Sequence, residues 1–313
     1  MNPMFSRTLK ALCALTAVAM LLACGSSKTV DPFKPNRVIG LGDAYNDVGL
    51  AVGAPFTVTG TSTVSTVVEQ IATIFNVGSI GVPVGAGTYG NGGLPATGVF
   101  SYAMGDALIT GTGAADASLT EQVDRLLADV GTFTSTDLVL ITAGTRDIKA
   151  NANAVTTVTA LREQVRRLLE AGAKHVLIMQ PLDIANTPFG RAAGTYAGKT
   201  TEFVNEELTQ LQDLVRGGGY ANNPVILSNS TGLSSTFNIY TNPPSSTTYY
   251  GEFTTSTQVA YCSAPTTLTG CAMTTGEDTK AATTLFADNL NLTPAGNRWV
   301  SQYLYSATGS GWR

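Results

Sequence analysis

Length, composition and charge set the first limits on this chain. It has 313 residues and a net charge of −4, and only 13% of its residues are charged. Loss of an amino-terminal leader that carries Arg7 and Lys10 takes the charge to −6, which argues against nucleic acid as a partner. The roughly 290 remaining residues suffice for one large domain or two small ones. They show neither an internal repeat nor a dividing linker, which favours one domain.

The amino terminus has the pattern of a sorting signal. Two basic residues precede an apolar run over 11–22 that is too short to span a bilayer. The next segment, Leu-Ala-Cys24-Gly25, resembles a bacterial lipobox, whose cysteine is lipidated and becomes the first mature residue. We therefore expect a signal peptide over 1–23 and a lipidated, flexible tether over 24–36. Glycine after Cys24 favours the outer membrane, and an ordinary cleaved signal peptide is the alternative.

Beyond the tether, predicted strands alternate with amphipathic helices. Unbroken apolar runs between glycine, proline or polar residues predict buried strands at 37–41, 137–143, 175–179 and 224–228. Apolar residues at helical spacing predict helices at 67–75, 119–130, 161–169, 204–215 and from 294 through 304. Ser118 and Glu121 form a capping box before the second helix, and Pro294 opens the last one. This alternation predicts a three-layer α/β/α sandwich with a mostly parallel sheet.

The cysteines divide between three roles. Cys13 leaves with the signal peptide and Cys24 takes the lipid, so two remain. Cys262 and Cys271 flank a Pro/Gly loop in a Ser/Thr-rich stretch, and an oxidising compartment favours a disulfide between them. A zinc site would need more ligands, and the single histidine is distant in sequence. We therefore predict neither a metal nor a cofactor.

The most informative motif follows the first predicted strand. Gly42-Asp43-Ala44-Tyr45 resembles the first block of the GDSL (SGNH) esterase and lipase family, in which Gly-Asp-Ser-Leu carries the nucleophilic serine. The resemblance extends over most of the mature chain and is nearest to the extracytoplasmic bacterial branch. It implies a single SGNH-hydrolase-like, flavodoxin-like domain over 37–313.

Later segments resemble the family's other blocks in the same order. Gly105 fits the glycine whose N–H helps to form the oxyanion hole, and Asp288 fits the acid of the triad. Arg146 stands where the family has an asparagine donor, and Asn291 stands where it has the histidine. The resemblance implies that these four residues and Ala44 converge at the carboxyl ends of the strands, where open α/β sheets bind ligands.

Each departure from the family pattern has a chemical consequence. Ala44 has no hydroxyl and cannot form an acyl-enzyme. Asn291 has no basic nitrogen to replace the imidazole. Arg146 can donate hydrogen bonds but is larger and permanently charged. We expect it to turn toward Asp288 or Asp43, because a buried carboxylate without its histidine needs a partner.

Replacement chemistry from other residues is less favoured. His175, the only histidine, lies far from the motifs at the start of a predicted strand. Tyr45 and Thr145 neighbour the altered positions, but without a base neither hydroxyl is activated. Aspartates more often cap helices than bind metal, although a divalent metal site is an alternative for the set Asp43, Asp47, Asp147 and Asp288.

Two classes of function follow. We favour a noncatalytic outer-membrane lipoprotein, facing the periplasm or the exterior, that uses a GDSL scaffold for binding or assembly. It would attach to the membrane through the lipid on Cys24 and take a small-molecule or envelope ligand. The alternative is a carboxylic-ester hydrolase with a weak or rearranged site.

Overall fold

Six short strands form the central sheet. The computed structural model describes residues 33–60, 65–85, 88–89, 93–111, 118–220, 222–228, 253, 260–262, 271–272 and 278–312, so the predicted signal peptide and Cys24 lie outside the described residues. The strands are β1 (Arg37–Gly42), β2 (Val58–Thr59), β3 (Gly81–Pro83), β4 (Gly98–Ser101), β5 (Asp137–Thr142), β6 (Val176–Met179), β7 (Val225–Leu227) and β8 (Cys271–Ala272). β2 and β8 pair separately from the other six.

The main sheet is parallel throughout, in the order β3-β4-β1-β5-β6-β7. β1 and β5 lie at its centre, and all six residues of each are buried. Strands covered on both faces read as continuous apolar runs, which is why the sequence predicted these two so clearly. At their amino ends, Arg37 and Asp137 form a buried ion pair, with Nε 2.7 Å from Oδ1.

Helices cover both faces of the sheet. They are α1 (Val67–Ile74), α2 (Leu119–Val130), α3 (Thr145–Lys149), α4 (Ala154–Glu170), α5 (Pro188–Ala193), α6 (Lys199–Gly217), α7 (Asp278–Thr283) and α8 (Pro294–Gly311). Ile39 and Ile141 pack with α2, α4 and α6, whereas Val38 and Leu140 pack with α1 and α8. Because alternate strand residues point to opposite faces, the two cores lie on opposite sides of the sheet. The predicted three-layer sandwich is confirmed.

An aromatic cluster joins the two ends of the described domain. The His175 ring lies between Phe33, at 3.9 Å, and Trp312, at 4.9 Å between ring centroids. Trp312 Nε1 donates to the Asn223 carbonyl at 3.1 Å. Burial lowers the pKa of His175, with the Asp137 backbone and charge opposing the shift. The cluster lies where β1 and β6 begin, at the amino edge of the sheet.

The predicted membrane anchor and the predicted disulfide both involve residues that the structure does not fully describe. Within the described residues, no helix is long and apolar enough to cross a membrane. The Cys271 side chain lies outside the described residues, so its disulfide with Cys262 stays a prediction.

Candidate active site

The loops that follow β1, β4 and β5 meet at the carboxyl edge of the sheet. Asp43 N–H donates to the Thr142 carbonyl at 2.7 Å, and Met104 N–H donates to the Gly42 carbonyl at 3.1 Å. Gly42 has a φ of +109°, and a Cβ there would overlap the Thr142 carbonyl, so only glycine fits. From α2, Gln122 fixes this glycine further by accepting from its N–H and donating to its carbonyl, at 2.6 and 2.9 Å.

The structure brings the motif positions together at this edge. Tyr45, next to Ala44, donates its hydroxyl to the Leu290 carbonyl at 3.4 Å, which joins the first motif to the last. Arg146 Nε donates to the Gly105 carbonyl at 3.0 Å, which joins the third motif to the second. The Ala44 side chain is buried, with 5% of the residue exposed.

Asp288 and Asn291 are directly bonded. Asn291 Nδ2 donates to Asp288 Oδ2 at 2.7 Å. Asp288 Oδ1 accepts the backbone N–H groups of Leu290 and Asn291 at 2.7 and 2.6 Å, which closes a tight turn. The amide thus makes the hydrogen bond to the acid that an imidazole would make. It offers no nitrogen that can take up a proton.

Gly105 makes a contact that sequence reasoning missed. Its N–H, implied as an oxyanion donor, donates instead to Asp47 Oδ2 at 2.8 Å. The Phe56 ring packs so closely on this glycine that a Cβ would overlap it. Asp47 also accepts from Gly49 and Leu50 N–H groups, and burial raises its pKa to about 6 against these hydrogen bonds. In this structure the Gly105 N–H is already bonded to Asp47, and the oxyanion role implied for it stays a prediction.

Arg146 pairs with an acid, but not with the predicted one. Its Nη1 lies 3.2 Å from Asp106 Oδ1, and this pair replaces the expected ones with Asp288 or Asp43. Asp106 follows Gly105 directly in sequence, so the carbonyl and the carboxylate of one loop hold the same guanidinium. Arg146 still acts on Asp43 at longer range: burial raises the pKa of Asp43 to about 6, and the arginine charge opposes this.

Asp147, the last of the four aspartates considered as metal ligands, binds the backbone of a loop. Asp147 accepts the Ile109 N–H on both oxygens, at 3.1 and 3.2 Å. Burial raises its pKa to about 7, and the Asp43 charge adds to the shift. Within the described residues, no group of three or more possible ligands lies close enough to hold a metal ion. These aspartates bind backbone groups, as capping residues do.

Both alternative nucleophiles, Tyr45 and Thr145, lie close to the buried Asp43. Burial raises the pKa of the Tyr45 hydroxyl, and the charges of Asp43 and Asp288 raise it further. Thr145 is buried at the start of α3, and its side chain hydrogen-bonds to Asp43, which opposes the rise in the pKa of that acid. His175 lies at the amino end of β6, and that four-residue strand spans about 13 Å toward the opposite edge. It therefore cannot serve as the base for either hydroxyl.

Lys149 is a further residue that sequence reasoning did not single out. It lies one helical turn after Arg146 in α3, with Nζ 5.2 Å from the centre of the Phe189 ring. Partial burial and Arg146 lower its pKa, while Asp106 and Asp288 oppose the shift. The i, i+3 spacing of the two cations was the available signal. Lys149 and Asp106 are exposed and form what we call the rim of the site, whereas Ala44 and Asn291 are buried.

A parallel sheet that gathers these loops at its carboxyl edge defines an α/β protein of the SGNH-hydrolase type. The sequence matches the GDSL-like Lipase/Acylhydrolase family over residues 40–304, and the chain belongs to this family. It is similar to a protein from Agrobacterium tumefaciens str. C58 assigned as an arylesterase, with 14% identity, a TM-score of 0.43, and 88% of this chain and 99% of that one covered. A carbohydrate acetylesterase family member from Sinorhizobium meliloti matches with 13% identity, a TM-score of 0.44, and 87% and 96% coverage. A comparison with curated protein sequences gives no match.

Proposed function

We propose that this protein is a lipid-anchored envelope protein that has lost serine-esterase activity and uses its GDSL scaffold for binding or assembly. The observation that carries the proposal is the pairing of Asn291 with Asp288 beside a buried Ala44. The position of the nucleophile has no hydroxyl, and the position of the base has no basic nitrogen. The acid, Asp288, is retained, but it accepts a hydrogen bond from the Asn291 amide.

The chemistry of acyl transfer supports the loss of activity. It needs a nucleophile, a base that takes the proton of that nucleophile, and donors for the developing oxyanion. Loss of the nucleophile or the base alone costs roughly six orders of magnitude in rate, and loss of both costs little more. The Gly105 N–H is bonded to Asp47, which removes one implied oxyanion donor as well.

A binding role is supported by the groups at the rim. Asp106 and Lys149 are exposed there, of opposite charge, while Arg146 is held between the second and third motifs. Such a rim offers a small-molecule or envelope ligand both an acceptor and a donor without a reactive centre. The proposal includes no cofactor and no nucleic acid.

The cell location is proposed from the lipobox. Metabolic labelling with a palmitate analogue should mark the protein, and Cys24→Ala should abolish the label. A soluble mature protein that begins at another residue would contradict the anchor. This test is independent of the enzymatic one.

An ester-hydrolysis assay tests the main claim. Purified protein should hydrolyse neither p-nitrophenyl acetate nor p-nitrophenyl palmitate above the buffer rate. Ala44→Ser lacks a base and Asn291→His lacks a nucleophile, so neither single variant should gain activity. The double variant restores both beside Asp288, and Arg146→Asn added to it restores the family's asparagine.

The pattern across these variants is decisive. Activity only in the double or triple variant supports a scaffold that has lost its reactive groups and nothing else. Robust hydrolysis by the unaltered protein, abolished by a substitution such as Thr145→Val, would establish the alternative of a rearranged esterase site and end the proposal.

A further inference from the structure

A second cleft lies away from the candidate active site, at the edge of the sheet. Its volume is about 740 Å³, and it runs along β7 between α6 and α8. Leu211 and Val215 of α6 form one wall, and Tyr303 and Ala307 of α8 form the other. The floor of this β7 cleft is the strand itself.

One side of the β7 backbone has no hydrogen-bond partner among the described residues. Val176 N–H donates to the Pro224 carbonyl, and Ser228 N–H donates to the Ile178 carbonyl, both at 2.8 Å. Alternate residues of a parallel strand bond to the same neighbour, so Val225 and Leu227 direct their N–H and C=O groups away from β6. Within the described part of the chain, neither residue makes a further hydrogen bond.

The chemistry of the cleft therefore combines apolar walls with two backbone donors and two backbone acceptors. An alkyl chain in this position would remove water from these groups and replace none of their hydrogen bonds, at about 1–3 kcal/mol for each group. An extended peptide would satisfy all four, as strand addition does in peptide-binding domains. The edge groups thus favour a peptide over a lipid tail.

Charge narrows the chemistry of the occupant. Arg216, an exposed residue near the end of α6, is the one charged side chain among the described residues that line the cleft. The lining extends along β7 from Asn223 to Ser228, six residues that span about 20 Å. A peptide of similar length would place an acidic group opposite Arg216 and apolar side chains against Leu211 and Ala307.

We infer that the β7 cleft binds an extended, mostly apolar peptide segment with an acidic group, which adds to β7 as a seventh strand. The site is separate from the candidate active site. Esterase activity, if found, would overturn the proposed function and leave this inference untouched.

Selection from a phage-displayed library of random heptapeptides, with purified protein as bait, supplies the probe. The enriched peptide is synthesised with a fluorophore, and its Kd is measured by anisotropy. Leu227→Pro removes the outward N–H and leaves the bonds to β6 in place, because proline is tolerated where the missing N–H faces outward from an edge strand. The lost hydrogen bond should weaken binding by about tenfold. Leu227→Val keeps the N–H and should bind as the unaltered protein does, and Arg216→Glu should weaken binding most at low salt.

A second measurement covers failure of the proline variant to fold. N-methylation of alternate residues in the selected peptide should abolish binding in one register, where the methyl groups face β7, and leave it unchanged in the other. Equal loss in both registers would overturn strand addition, as would unchanged affinity for a folded Leu227→Pro variant. So would a selection that yields no peptide, displacement of the bound peptide by dodecanoate, or a dimer of this chain that dissociates on Leu227→Pro.

Discussion

Glu207 gives the sharpest prediction about stability, because a fully buried acid lies inside the domain. It lies on α6 with 0% of its surface exposed, and beyond the Gln180 amide its carboxyl oxygens have no hydrogen-bond partner among the described residues. Burial raises its pKa from the ordinary value of 4.5 to about 8, and the nearby Gln180 amide opposes this. The native protein therefore keeps Glu207 protonated at neutral pH, while the unfolded chain ionises it.

The sign and the size of the effect follow by linkage. A folded-state pKa above the unfolded one adds stability below pH 4.5, and that stability is lost as the pH rises toward 8. Each pH unit within this window costs about 1.4 kcal/mol, so Glu207 costs about 3 kcal/mol at pH 7 relative to pH 4.5. Glu207→Gln removes the titration at nearly constant shape. The free energy of unfolding of the variant, relative to that of the unaltered protein, should therefore rise by about 3 kcal/mol from pH 4.5 to pH 7.

Urea unfolding followed by circular dichroism at pH 4.5, 6, 7 and 8 measures this difference. Asp43, Asp47 and Asp147 also have raised pKa values, but they are present in both proteins and cancel. Asp213→Asn is the matched control, since Asp213 is exposed on the same helix. It should give a difference that does not vary with pH. Parallel curves for the unaltered protein and Glu207→Gln would refute the reasoning.

Two further predictions concern stability, one at a glycine of the first motif and one at the expected disulfide. Gly42→Ala should lower the free energy of unfolding in urea by about 3 kcal/mol or more, because the new Cβ would overlap the Thr142 carbonyl. Gly53→Ala is the control, since Gly53 also has a positive φ but has open space around it. It should cost only about 1 kcal/mol. Equal losses would show that backbone strain and not the overlap sets the cost. Reduction of the expected Cys262–Cys271 disulfide, which closes a loop of about ten residues, should lower stability by about 2–3 kcal/mol. Free thiols in the unreduced, denatured protein would contradict that pairing.

The central part of the fold was predictable because burial on both faces leaves a strong signal. β1 and β5 are covered by helices on each side, and their central residues, 38–41 and 138–141, are apolar or glycine. β3 and β4 were missed because they have three and four residues and contain glycine or proline. So short a run has no period to detect.

The candidate site was predictable in its positions but not in its bonds. The order of motifs located Gly105 and Arg146, but it did not indicate a role for Asp106, which follows Gly105 directly. Its pairing with Arg146 depends on the direction of two side chains, which spacing does not encode. Phe56 lies in a loop without periodicity, so nothing in the sequence indicated that it would cover Gly105.

The aromatic cluster of Phe33, His175 and Trp312 also determines where the molecule can be extended. The Phe33 and Trp312 rings are 5.2 Å apart between centroids, so the two ends of the described domain adjoin. They do so at the edge of the sheet opposite Ala44 and Asn291. A reporter domain fused after the last residue would therefore leave the rim at Lys149 uncovered. A short linker between the two ends would also permit a circularly permuted chain, with new ends opened at a surface turn.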